Sequence, residues 1–215
     1  IFASYRNAYG APIGYNLPVS ADTVAGGSYQ GEPAAASNAS GLTLVVWLDG
    51  REGGNVFGTT FDVYGQWIDS DGNLIGGNFK VNDAVNDTTG LPRDASPAVA
   101  ADPTQGFVVA WIDRRISTTR DPGDVYAQRF GADRSPLGGN MRVNDDPLGR
   151  DQRAVRAVPG PDGAHLFWED LRESLGLDPN VETAVVPYDA SPPGFNYRVN
   201  ESQAGRQGTP TGCWD

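Results

Sequence analysis

The chain of 215 residues carries a formal net charge of -11 and has an isoelectric point near 4.4. This charge repels nucleic-acid phosphates and anionic lipid head groups, and no cluster of Lys or Arg counters it, so we expect neither nucleic acid nor membrane insertion. The single cysteine, Cys213, excludes an internal disulfide and a cysteine-based zinc cluster, and no apolar run approaches the ~20 residues that span a bilayer.

The first 22 residues contain two short runs, 1–6 and 13–19, that are rich in apolar residues. Runs of this kind, bounded by turn residues such as Gly10, predict β-strands. They match the last two strands of a four-stranded unit that recurs later in the chain. Residues 1–22 are therefore predicted to form half a unit.

The recurring unit has four strand-like runs, a to d, joined by turns rich in Gly, Asp and Asn. Complete units are predicted at 30–82, 93–145 and 151–200, and each has a Val-Asn pair at its end or one residue before it. A four-stranded unit of ~50 residues is typical of a β-propeller blade. The sequence therefore predicts an all-β fold, a single-domain propeller of about four blade equivalents.

The third unit is the most divergent of the three. Its strand c is predicted at 181–185, aligned with 62–66 and 124–128, where the first two units have Tyr followed by a small residue and Gln. Thr183, Ala184 and Val185 replace that motif.

The units resemble a repeat of bacterial secreted proteins related to sialidase-like (BNR-like) propellers. That repeat reads approximately Pro-x-Val-Ala, Val-x-Trp-x-Asp-x-Arg and Asp-Val-Tyr-Ala-Gln-Arg-Phe, followed by a Gly-Gly turn and Val-Asn. Residues 93–145 match it nearly throughout, and residues 30–82 match it well. The resemblance implies a propeller fold and secretion or display at the cell surface.

Each unit carries a Trp-x-Asp-x-Arg element where strand b ends. Alternation along a strand places Asp and Arg on the same side, close enough for a bidentate ion pair. The long b-to-c and d-to-a connections emerge at this end, which makes it the candidate binding surface for a glycan or protein ligand. The candidate residues are Asp49, Arg51, Asp113, Arg115, Asp170 and Arg172.

Two interpretations of these residues compete. Three arginines from successive units could grip a substrate carboxylate, as sialidases do. Residues that recur in every repeat, however, usually maintain the contact between repeats, and we favour this structural role. A sialidase-like mechanism also needs a Tyr nucleophile paired with Glu and a separate acid. The glutamates are scattered, and Tyr64 and Tyr126 are repeat-equivalent, so no catalytic set is assigned. We predict a binding or assembly module without catalytic activity; a sialidase-like glycan hydrolase or a carbohydrate-binding propeller is the alternative.

One acidic stretch resembles the opening of a calcium loop, in which alternate oxygens face the ion. It consists of Asp69, Asp71 and Asn73, but it lies at a c-to-d turn and lacks the later bidentate Glu. An ordinary hairpin turn is the preferred interpretation. We therefore predict no metal and no cofactor, with calcium as the alternative.

The ends of the chain match parts of the unit. Residues 207–211 align with strand a of a further unit, within a partial strand at 206–215. An unpaired sheet edge is a template for association. We predict that this strand pairs with the half-unit at 1–22, either within the chain to close a ring or between chains to build an oligomer.

Overall fold

The computed structural model describes residues 1–6, 9–21, 27–53, 61–83, 94–102, 106–114, 123–146, 150–172, 179–201, 207–208 and 210–211. Within them the regular structure is β-strand, apart from a short 3-10 helix at Arg51–Gly53. No helix in this described part of the chain is long and apolar enough to cross a membrane.

The strands fall into a half-unit and three complete units. The half-unit contains β1 (Phe2–Arg6) and β2 (Pro12–Pro18). Unit 1 contains β3 (Gln30–Ser37), β4 (Thr43–Asp49), β5 (Asp62–Ile68) and β6 (Leu74–Lys80). Unit 2 contains β7 (Asp94–Ala101), β8 (Gly106–Asp113), β9 (Asp124–Gly131) and β10 (Pro136–Arg142). Unit 3 contains β11 (Gln152–Pro159), β12 (Ala164–Asp170), β13 (Asn180–Val186) and β14 (Tyr197–Arg198).

Each complete unit is one four-stranded antiparallel sheet in which strands pair in chain order, and the half-unit is a two-stranded sheet. Short turns such as Asn38–Gly41 join neighbouring strands, and the Gly41 N–H donates to the Asn38 carbonyl at 3.0 Å. The prediction of an all-β chain built from four-stranded antiparallel units is confirmed.

The sheets pack face to face, and alternation along the strands supplies both faces. On β8, Phe107, Val109 and Trp111 lie in the core shared with unit 1. The intervening residues, Val108, Ala110 and Ile112, lie in the core shared with unit 3. A third core joins the half-unit to unit 1. The first strand of unit 2, β7, packs against the first strands of both neighbouring units.

The first strand of every unit contains a bulge at the same position. Glu32, Ser96 and Ala154 have φ values of 51°, 52° and 52°, in the left-handed region that favours glycine, and the strand register shifts at each of them. The Ser96 backbone N–H donates to Glu32 Oε2 at 2.8 Å. Neighbouring bulges are thus tied to each other between units 1 and 2.

The alignment of strand c in unit 3 needs a correction of one residue. Asp170 pairs with Asn180, just as Asp49 pairs with Asp62 and Asp113 pairs with Asp124. The predicted alignment of 181–185 with 62–66 is therefore wrong, and the counterpart of 62–66 is 180–184. The error arose because unit 3 lacks the Tyr and Gln that mark the register in the other units.

The described residues near the C-terminus form no strand, although Gln207 lies where a further unit would begin. Its backbone N–H donates to the Pro179 carbonyl at 3.1 Å, as the Gln152 N–H at the start of β11 donates to Gly123 at 2.9 Å. Residues 212–215 lie outside the described residues. Pairing of this segment with the half-unit stays a prediction.

Candidate binding surface and contacts between units

In each unit the indole N–H of a tryptophan on strand b donates to the aspartate two residues later. The Nε1-to-Oδ2 distances are 2.8, 3.0 and 3.1 Å in units 1, 2 and 3. The side chains involved are almost completely buried. A buried carboxylate requires hydrogen-bond donors, and the indole supplies one in every unit. The pairs are Trp47 with Asp49, Trp111 with Asp113 and Trp168 with Asp170.

The arginine of the element completes this arrangement in units 1 and 3. Arg51 Nη2 lies 2.6 Å from Asp49 Oδ2, and Arg172 Nη2 lies 2.9 Å from Asp170 Oδ2. The backbone N–H of each arginine donates to the other carboxylate oxygen, at 2.9 and 2.8 Å. The ion pair therefore uses one guanidinium nitrogen and one backbone amide rather than the predicted side-chain fork. Arg115 lies outside the described residues.

Arg51 and Arg172 also donate hydrogen bonds to the preceding unit. Arg51 Nη1 donates to the Ala21 carbonyl at 3.2 Å, and Arg172 Nη1 donates to Asp145 Oδ1 at 2.7 Å. Burial alone would lower the pKa of Arg172, but its hydrogen bonds to Asp170 and Asp145 raise the pKa above the ordinary arginine value. The guanidinium groups thus join consecutive units.

An asparagine on or next to strand d makes a second contact with the preceding unit, here called the Asn clamp. Its Nδ2 donates to a valine carbonyl of the preceding unit, at 2.9, 3.2 and 3.1 Å. Its Oδ1 accepts a backbone N–H two residues after that valine, at 2.6, 2.6 and 2.7 Å. The clamps are Asn78 on Val19 and Ala21, Asn140 on Val81 and Asp83, and Asn196 on Val143 and Asp145. Sequence reasoning missed them, although a Gly precedes each Asn by two residues.

The asparagine of the recurring Val-Asn dipeptide makes a hydrogen bond within its own unit. The asparagine Oδ1 accepts the backbone N–H of the second residue of strand c, at 2.9, 2.8 and 2.7 Å in units 1, 2 and 3. Side-chain acceptors of this kind satisfy backbone donors where a strand begins. The pairs are Asn82 with Val63, Asn144 with Val125, and Asn200 with Val181.

Unit 3 departs from the repeat at Glu182, which takes the place of Tyr64 and Tyr126 opposite the strand-b tryptophan. Its side chain is buried, and Oε1 lies 3.9 Å from Arg198 Nε. Burial raises the pKa of Glu182, and the charges of Arg172 and Arg198 oppose that rise. A buried acidic residue with a shifted pKa, at a position where the repeat is broken, is typical of a functional site.

A cluster of aspartates lies near the end of β8 in unit 2. Burial raises the pKa of Asp124, and the negative charges of Asp113 and Asp146 raise it further. The Asn144 Nδ2 hydrogen bond to Asp124, at 2.8 Å, and the charge of Arg142 oppose these effects. Unit 3 has the uncharged Asn180 at the position of Asp124, so its equivalent site carries one negative charge fewer.

A cavity of about 510 Å³ lies between the outer strands of units 1 and 2. Its walls include Phe79, Gln128, Arg134 and Asn140. The amide of Asn140 is already used, because Nδ2 donates to Gln128 Oε1 at 2.7 Å and to the Val81 carbonyl. The cavity is thus walled in part by the clamp itself.

The stretch that resembles the opening of a calcium loop forms the predicted turn. Asp69 Oδ1 accepts the backbone N–H groups of Asp71 and Asn73, at 2.9 and 2.8 Å, and Oδ2 accepts Asn73 Nδ2 at 3.0 Å. The hydrogen bonds from Asn73 lower the pKa of Asp69. Among the residues that the structure describes, no three His, Cys, Asp or Glu side chains are grouped to hold a metal ion. That the chain binds no metal stays a prediction.

The loops of the predicted binding surface lie largely outside the described residues. This holds for most of the b-to-c connections and for parts of the d-to-a connections. The connections are 49–61, 113–123 and 170–181, and 82–93, 144–153 and 200–207.

No family model, no curated protein and no solved structure matches this chain. The assignment of a function therefore depends on the residues and geometry described above.

Proposed function

We propose that the chain is a β-propeller module, secreted or displayed at a cell surface, that binds or assembles and catalyses no reaction. The observation that carries this proposal is the use of the recurring polar residues. Arg51 and Arg172 bond both to the aspartate of their own unit and to the preceding unit. Guanidinium groups engaged in this way support the fold instead of gripping a substrate carboxylate.

The ligand surface in this proposal is the loop end of the units, where strand b exits and strand c begins. The loops there differ in length and sequence from unit to unit, whereas the strands beneath them repeat. Variable loops on a repeated scaffold are the usual location of a binding site. A glycan or a protein segment is the ligand class that we propose.

The second candidate is a sialidase-like glycan hydrolase, and Glu182 is the observation that favours it. This glutamate breaks the repeat, is buried and has a raised pKa between Arg172 and Arg198. A carboxyl group with a raised pKa can act as a general acid in glycoside hydrolysis. A Glu182→Gln variant would abolish hydrolysis in that case.

A panel of glycans and chromogenic glycosides, assayed with calcium and with a chelator, separates the two candidates. The proposal predicts binding without turnover and little change in melting temperature on chelation. Hydrolysis that Glu182→Gln removes would overturn it.

The role of the arginines is tested separately with Arg172→Ala. The variant leaves the buried Asp170 carboxylate without its counter-charge, and we expect a loss of about 1–3 kcal/mol in unfolding free energy with ligand binding retained. Urea unfolding and the same glycan panel measure both quantities. Unchanged stability together with lost ligand binding would show that Arg172 binds the ligand and does not support the fold.

A further inference from the structure

The half-unit carries an Asn clamp with its partner side open. The Val19 N–H donates to the Ile1 carbonyl at 2.9 Å, as the Val81 N–H donates to Val63 at 2.8 Å, so Val19 and Val81 are equivalent. Asn16 precedes Val19 by three residues, as Asn78 precedes Val81. Gly14 has a φ of 71° and Gly76 a φ of 69°, each two residues before its asparagine. Asn16 therefore occupies the clamp position, and its side chain is exposed.

Unit 3 carries the complementary half of the clamp. The Val199 N–H donates to the Val181 carbonyl at 2.9 Å, which makes Val199 the equivalent of the clamped residues Val19, Val81 and Val143. Glu201 then corresponds to Ala21, Asp83 and Asp145, whose N–H groups bond to a clamp. Within the described residues, no asparagine side chain contacts the Val199 carbonyl or the Glu201 N–H, and Val199 is 53% exposed.

The open face of unit 3 differs between its outer and inner strands. The outer strands carry apolar groups that are partly exposed, namely Val181, Val185, Tyr197 and Val199. The inner strands carry Arg156 and His165, where unit 2 has Ala98 and Val108 facing a neighbouring sheet. The outer half of this face thus keeps the apolar character of a covered interface, whereas the inner half combines the apolar Phe167 with Arg156 and His165.

The half-unit consists of two strands that correspond to the outer pair of a unit. Its open face presents Phe2, 72% exposed, and Pro18 beside Asn16, together with the exposed Ser4 and Arg6. At the junction of units 1 and 2, the equivalent outer strands pack on each other through Trp67, Phe79 and Phe130. The half-unit therefore matches the outer half of the unit 3 face in strand position and in the clamp, and Phe2 and Pro18 give it exposed apolar groups there.

From this match we infer that the half-unit of a second copy docks on the open face of unit 3, with Asn16 of that copy clamping the Val199 carbonyl and the Glu201 N–H. The inference rests on the proposed binding and assembly role and names its partner, another copy of this chain. The two surfaces are different, so the contact is head-to-tail and can propagate. The net charge of -11 opposes association, and salt screens that repulsion.

The test is sedimentation of the 215-residue chain over about 1–100 µM at about 0.3 M salt, where charge repulsion is screened. We expect head-to-tail oligomers that dissociate on dilution. Asn16→Ala should weaken association about tenfold or more, because it removes a donor and an acceptor from the contact. Ala132→Ser, an exposed turn residue in unit 2, is the matched control and should change nothing.

Amide hydrogen exchange at Glu201 supplies an independent readout. Protection of this amide should rise with protein concentration in the unaltered chain and stay low in Asn16→Ala. A monomer at all concentrations, or an oligomer that Asn16→Ala leaves intact, would overturn the inference. The glycan panel repeated on the monomeric Asn16→Ala variant keeps the two proposals apart, because ligand binding there would support the proposed function whatever the fate of self-association.

Discussion

Units 2 and 3 have the same strand order and the same Trp-Asp pair. In the described part of the chain, however, unit 2 has a sheet on both faces and unit 3 has one on a single face. All eight residues of β8 are buried, whereas buried and half-buried residues alternate over the first part of β12. Val143 is 5% exposed, and its equivalent Val199 is 53% exposed. Equivalent residues therefore differ in burial because of the neighbouring sheet, not because of their own strand.

This difference allows packing between units to be measured apart from strand propensity. A substitution at equivalent positions alters the same strand in both units, while only unit 2 has a sheet against that face. The loss of unfolding free energy in unit 2 minus the loss in unit 3 is thus the contribution of packing between units 2 and 3. Because only unit 2 is covered on that face, paired substitutions should always cost more unfolding free energy in unit 2.

The largest difference is expected when the inner-strand residues are exchanged. Ala98 is buried between units 2 and 3, and its equivalent Arg156 is exposed. Ala98→Arg should cost about 3–5 kcal/mol, because it forces a charged side chain into a packed interface. Arg156→Ala should change the unfolding free energy by less than about 0.5 kcal/mol. Urea unfolding measures both, and a tolerated Ala98→Arg would contradict the packing described for the junction.

A smaller difference is expected for a matched pair of valines. Val125 is completely buried, and its equivalent Val181 is half-buried. Val125→Ala should cost about 2 kcal/mol because it leaves a cavity, and Val181→Ala should cost roughly 0.5 kcal/mol because its site is partly open to water. Thermal and urea unfolding at low protein concentration provide the comparison. Equal costs would mean that the open face of unit 3 is covered in solution.

The smallest effect is expected at the aspartate cluster, where Asp124→Asn gives unit 2 the residue that unit 3 has as Asn180. An asparagine oxygen can still accept the Asn144 N–H, as Asn180 Oδ1 accepts from Asn200 at 3.1 Å. The pKa of Asp124 is raised on folding, so the ionised carboxylate lowers stability above that pKa. The variant should melt about 1–3 °C higher at neutral pH.

The pH dependence sharpens this prediction. A raised carboxyl pKa means that the folded chain binds the proton more tightly than the unfolded chain does. The advantage of Asp124→Asn should therefore shrink as the pH falls through the raised pKa toward the ordinary aspartate value of about 4. An advantage that grows on acidification would show that the carboxylate stabilises the fold.

Residues that recur in the sequence predicted much of this architecture. The Trp-x-Asp-x-Arg spacing predicted a bidentate ion pair on one side of the strand. Asp49 and Arg51 do pair, but through one guanidinium nitrogen and the backbone N–H of Arg51. The sequence did not reveal the partners across sheets, because the acceptor of Asn140 is the Val81 carbonyl, 59 residues earlier, and a backbone carbonyl leaves no mark on the residue type. The one-residue error in unit 3 has a similar cause, since the register is fixed by backbone pairing with β12, such as that of Asp170 with Asn180, and not by a residue type of β13.

The recurring polar residues hold consecutive units together, and substitution of the Asn clamp measures this contribution. Asn140 bonds to Gln128, Val81 and Asp83, whereas Asn16 occupies the same repeat position on an open face. The measurement is the unfolding free energy of Asn140→Ala and Asn16→Ala in urea, at a concentration that keeps the chain monomeric. We expect a loss of about 1–3 kcal/mol for Asn140→Ala and less than about 0.5 kcal/mol for Asn16→Ala. Equal losses, or an Asn140→Ala variant as stable as the unaltered chain, would contradict this expectation.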